Sequence, residues 1–186
     1  MKNPYLFGFL PLITILLFSM TFGLFAVNES LVLFKNIGIY AAMSEFLSDV
    51  ELRIFLFICF VVLFFMIFSA IKLVGESVHT VGMLFFAKIN EENPPQESKV
   101  LYSILLIGAA ISVVGINSFP LLIIIAVSTL VIYFIATMVR LTEYLGFGSV
   151  IGLLVFEFAM WTLLVVTLAY VLVKLYNSLL SSLPFN

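Results

Sequence analysis

Five stretches of this chain are apolar almost without interruption, and runs of that kind admit few folds. They cover residues 5–27, 54–73, 100–116, 119–139 and 150–173. About 20 apolar residues in helical form cross the ~30 Å hydrocarbon core of a bilayer. The runs are continuous and do not alternate. In lipid every backbone amide must pair within its own segment, so the runs dictate helices. The chain therefore reads as all-α, a polytopic membrane bundle forming a single transmembrane domain over residues 1–186. The third run is the shortest. Composition removes the soluble alternative, because 64% of the 186 residues are hydrophobic and only 10% are charged. Soluble domains carry about 25% charge and about 45–50% apolar residues, and no soluble core absorbs the surplus. The excess faces lipid.

Polar punctuation sets the expected limits of the spans. Ser48-Asp49-Val50-Glu51 has the S-x-x-E spacing of a capping box, just ahead of the second run. Asn93-Pro94-Pro95 precedes the third run, and Asn117-Ser118-Phe119-Pro120 is so short that the third and fourth helices should form an antiparallel hairpin. Gly146 to Ser149 breaks and recaps the chain before the fifth. Pro11 should bend or start the first helix. Lys2 ahead of the first run resembles a signal peptide, but an apolar run over 5–27 exceeds the usual ~7–15-residue h-region, so a retained helix is expected. Residues 29–48 differ. Lys35, Glu45 and Asp49 fall toward one side of a helical wheel, with Leu33, Ile37, Tyr40, Met43 and Leu47 opposite. That pattern predicts one interfacial amphipathic helix instead of a sixth span.

Five spans place Lys2, Lys72, Lys88, Lys99 and Arg140 on the N-terminal side, with Lys35, Arg53 and Lys174 opposite. Under the positive-inside rule this predicts a cytoplasmic N-terminus and a cytoplasmic loop at 88–99. The net charge of −2 includes no basic run, so no nucleic-acid partner is expected. Cys59 is the one cysteine, which excludes an intramolecular disulfide and any multi-cysteine metal site. The 21 phenylalanines, spread over all spans, read as lipid-facing bulk.

Candidate chemistry is confined to a few polar residues. Lys72, Glu76, His79 and Met83 form one stripe of a helix whose other stripe is apolar. A continuous helix from Ser48 to Ala87 would be about 60 Å long, roughly twice the core, so its last third must leave the hydrocarbon or the helix must break, with Gly75 the obvious point. Glu76 and His79 are accordingly expected to be wet, and His79 is the natural titrating group near neutral pH if it faces a pocket. Glu157 lies about 12 Å into the fifth run, where an ionisable group needs a partner or water. Lys72 and Glu157 are expected to pair as an intramembrane polar clamp. Gly108, Ser112 and Gly115 offer a small-residue face for close helix packing. The chain has no G-x-S-x-G, H-E-x-x-H or Walker A sequence, so neither catalytic residues nor a metal or cofactor is expected.

"MKNPYLFGFLPLITILLFS" at the start, "LFFMIFSAIKL" at 63–73 and "KLYNSLLSSLP" at 174–184 resemble the YufK-like small integral membrane proteins of Gram-positive bacteria. The resemblance runs the whole length. It implies a bacterial cytoplasmic-membrane protein and brings no site residues with it. The expected role is a non-enzymatic structural or accessory component in the lipid bilayer, with a membrane-protein partner or a homo-oligomer. The alternative is a small secondary transporter or ion/proton conductor using Glu157 with Lys72 or His79.

Overall fold

The computed structural model describes residues 9–86 and 101–182. The expected loop at 88–99, with Lys88 and Lys99, the first residues of the first run and Lys2 lie outside them. Every element among the described residues is helical. The first helix, α1, runs Leu10–Asn36 with a proline in its opening turn. Pro11 therefore starts the helix, at a position where its missing N–H leaves no bond unmade.

The expected interfacial helix over 29–48 is not one element. Residues 29–36 continue α1, because Leu31 is buried beside Val27 against Leu52 and Leu56. Gly38 then takes a left-handed conformation, φ 79°, that ends the run, and a helix of 6 residues, α2, follows at Ile39–Ser44. Only glycine enters that region without a Cβ penalty. Tyr40, Met43 and Leu47 of the predicted apolar side pack against the same cluster. Leu33 and Ile37, both 55% exposed, do not. The Lys35 ammonium sits 4.8 Å from the centre of the Tyr40 ring, while the Tyr40 hydroxyl donates to the Asp49 carboxylate. That hydrogen bond to Asp49 raises the Tyr40 phenol above its ordinary 10.0. Asp49→Asn should return it toward the ordinary range, measured as an earlier phenolate absorbance rise in an alkaline titration.

The third helix, α3, spans Asp49–Phe86 without a break at Gly75. Its capping box forms. The Ser48 amide and hydroxyl donate to the Glu51 carboxylate at 2.9 Å and 2.7 Å, and the Glu51 amide reaches back to the Ser48 hydroxyl at 3.4 Å. The fourth helix, α4, covers Leu101–Ile111 and tightens into a 3-10 turn at Ser112–Gly115. Helix α5 occupies Phe119–Leu141 and α6 Phe147–Ser182. α1, α3, α5 and α6 are each long and apolar enough to cross a membrane, and Leu101–Gly115 is a shorter apolar helix.

The chain was expected to form one domain, and its contacts gather it into two compact units. The first joins Met1–Val74 with Pro95–Arg140, the second Gly75–Pro94 with Leu141–Asn186. In the first unit Phe18, Phe22, Ala109 and Leu122 are buried together, with Phe64 and Phe68 packed on them. The ring centroids of Phe22 and Phe68 lie 5.2 Å apart, edge to face, and Phe25 stacks on Phe119 at 5.5 Å. Phenylalanine is thus partly core and not only lipid-facing bulk, because an offset or edge-on ring pair adds to packing where no hydrophobic force between helices exists.

The small residues position α4. A methyl group added at Gly108 would lie 2.1 Å from the Thr129 hydroxyl of α5, and one added at Gly115 would lie 3.1 Å from Leu122. Between them the buried Ser112 hydroxyl meets that of Thr21 in α1 at 3.0 Å. Gly108→Ala should cost about 1–3 kcal/mol through overpacking. Thr21→Val should cost only about 0.6 kcal/mol, the usual worth of a hydrogen bond between membrane helices. Unfolding in mixed micelles should rank the two variants in that order, and the reverse order would contradict packing control of this contact.

Candidate functional site

The second unit contains a seam between residues 75–86 of α3 and the first half of α6. Two glycines, Gly82 and Gly152, let the two helices approach. A methyl group added at Gly82 would sit 2.5 Å from Leu153 and 3.0 Å from Phe156, one at Gly152 would sit 2.5 Å from Phe86, and one at Gly75 would touch Trp161 at 3.4 Å. Residues 75, 82 and 86 thus face 161, 153 and 152, so the two helices of the seam run antiparallel. Leu153 is fully enclosed, and Val78 and Val150 are buried as well.

Midway along this seam the His79 imidazole Nδ1 meets the Glu157 carboxylate Oε1 at 2.6 Å. The Glu157 side chain is 5% exposed and that of His79 35%. A contact this short has the length of a charge-assisted hydrogen bond. The expectation that His79 is simply wet is corrected by it. Val78 turns inward next to His79 and the ring follows half-way, its inner nitrogen held by Glu157. Glu76, one helical turn earlier, is exposed.

Lys72 lies about 10 Å back along α3 from His79 and belongs to the first unit, so its expected pairing with Glu157 would join the two units. Within the second unit the partner of Glu157 is His79. The contacts of Gly75 with Trp161, Gly82 with Leu153 and Gly152 with Phe86 set the register that places residue 79 against residue 157. Trp161 sits half-buried against Gly75. Cys59 is exposed on α3 and takes no part. Among the described residues, no group of three or more His, Cys, Asp and Glu side chains is arranged to hold a metal ion.

A family model described as a family of unknown function, DUF5366, matches residues 27–184. The chain belongs to that family. It is similar to the uncharacterized membrane protein YufK of Bacillus subtilis (strain 168), with 35% identity over 185 residues, 99% of this chain and 100% of that protein. No solved structure matches it. The resemblance to YufK-like proteins thus extends along the whole chain, and the protein is a small multi-pass membrane protein of that family.

A hydrogen bond to a charged group contributes about 1.5–3 kcal/mol, and partial exposure of His79 places this one toward the lower end. A double-mutant cycle with His79→Gln, Glu157→Gln and the pair should therefore return a coupling of about 1–2 kcal/mol in thermal or denaturant unfolding. Additive single-variant effects would show that the two side chains do not stabilise each other.

Proposed function

We propose that the protein is a non-enzymatic accessory component of the bacterial cytoplasmic membrane that works by packing against a second membrane protein. The observation that supports this is helix length set against exposure. α3 has 38 residues and α6 has 36, which at 1.5 Å per residue is about 57 Å and about 54 Å. A tilt of 40°, near the upper limit for membrane helices, still leaves each more than 40 Å tall against a ~30 Å core. Lipid tails cannot cover both along their whole length.

The tips of these helices nonetheless expose large apolar side chains. Leu84 and Phe85 lie about 50 Å from the polar start of α3 and are 74% and 73% exposed, while Phe147 at the start of α6 is 75% exposed. Residues 162–181 of α6 are exposed on every face, and the apolar part of that stretch ends at Lys174. In this reading residues 162–173 meet lipid, and the apolar surface at Leu84, Phe85 and Phe147 meets protein. The N-terminus is cytoplasmic by the lysine and arginine count, which puts that surface on the cytoplasmic side.

Photo-reactive residues placed at 84, 147 and, as a lipid-facing control, 165 test the reading in intact cells. Cross-links from 84 and 147 to one membrane protein of a different mass, absent at 165, are the expected result. Cross-links only to a second copy would make the protein a homo-oligomer, and lipid adducts alone at all three positions would remove the accessory role. A second reading, a proton or ion conductor, is favoured by the His79–Glu157 contact. Proteoliposomes loaded with a pH dye should then acidify under a proton gradient, and Glu157→Gln should abolish that flux.

A further inference from the structure

The His79–Glu157 contact has a chemistry that helix packing alone does not require. At 2.6 Å a bare ring nitrogen and a carboxylate oxygen would oppose lone pair to lone pair, so a proton must lie between them. The Glu157 side chain is enclosed, whereas about a third of the His79 side chain is open, 5% against 35%. With Nδ1 turned to Glu157, Nε2 is the ring nitrogen left to exchange a proton. We propose that this pair is a proton-binding site with one mouth. Nδ1–H stays committed to Glu157, and a second proton is taken up and released only at Nε2.

A carboxylate on one imidazole nitrogen selects the tautomer that leaves the other nitrogen as the acceptor. In the empty state the neutral ring donates Nδ1–H to the Glu157 carboxylate, and the pair carries one negative charge. In loading, a hydronium ion or a buffer acid gives its proton to the Nε2 lone pair. A new N–H bond forms, the donor O–H bond breaks with its electrons staying on oxygen, and the pair becomes an imidazolium–carboxylate with no net charge. Release reverses each step. The ionisable groups nearest along α3 are Glu76, exposed one turn away, and Lys72, half-buried a further turn back. On α6, Glu157 is the sole ionisable side chain before Tyr170, which is about 20 Å farther along. The seam thus switches between a buried anion and a neutral pair by the movement of one proton. The site does not depend on what packs against the protein.

Because the chain has 1 histidine, selective 15N-histidine labelling of the full-length protein in lipid bilayers, purified through a histidine-free tag, reports this ring alone. The expected result in the neutral state is a pyrrole-type Nδ1 signal and a pyridine-type Nε2 signal. On acidification Nε2 should shift to the protonated range while Nδ1 stays where it is. Glu157→Met, which removes the acceptor, should return the neutral ring to a majority with the proton on Nε2. A wild-type ring that is neutral with its proton on Nε2 would overturn the proposal, and that measurement stands even if Glu157→Met does not fold. A tautomer ratio unchanged by Glu157→Met would overturn it as well.

Discussion

A backbone amide in hydrocarbon has no water to bond, and this one constraint underlies the rest of the architecture. It makes every run a helix, and it removes the hydrophobic effect as a force between helices once they are in lipid. What remains is close approach. At Gly23 a methyl group would lie 2.9 Å from Val61, at Gly108 it would strike Thr129, and at Gly82 it would strike Leu153. Each of these is a place where the absence of a side chain lets a neighbouring helix in. Each buried hydroxyl between α1 and α4 also has a carbonyl of its own helix in reach, Ser112 that of Ala109 at 2.6 Å and Thr21 that of Phe18 at 3.0 Å, and with one proton apiece only one of them donates across the contact at a time. They are therefore satisfied before the two helices meet. The meeting of α1 and α4 is decided by shape.

Much of this was readable in the residues because the same constraint writes it there. The helical form of the apolar runs, the Ser48–Glu51 cap, the start at Pro11 and the short turn before Phe119 follow from local chemistry that tertiary contacts do not overrule. The segment at 29–48 turns on Gly38, which stops a helix because the chain there takes a left-handed turn into α2, whereas Gly75, where a break was expected, stays helical within α3. A sequence shows two glycines and no difference between them. Phenylalanine was ambiguous for a related reason. The ring serves equally well against lipid or against another ring, and only the register of α1 with α3 and α5 decides which rings, Phe22 and Phe68 among them, turn inward.

The candidate site was half readable. Glu157 stands out in an apolar run for any reader, since a carboxylate there needs a partner. Choosing the partner requires the register of two helices far apart in the chain, and depth counted from the nearest polar residue is a poor guide when helices exceed the bilayer by about 25 Å. Lys72 had the more obvious charge. His79 has the position in the seam, and its ring offers what an ammonium does not, a donor toward the carboxylate and an acceptor away from it.

Trp161 rests on Gly75 at one end of that seam, one helical turn from Glu157, and it is the 1 tryptophan in the chain. An indole responds to the polarity and charge around it. The molecule therefore carries a built-in optical gauge at the place where its helices meet. Any ligand, lipid or neighbouring protein that parts or tightens the two helices would change the colour and brightness of its emission, with no label attached.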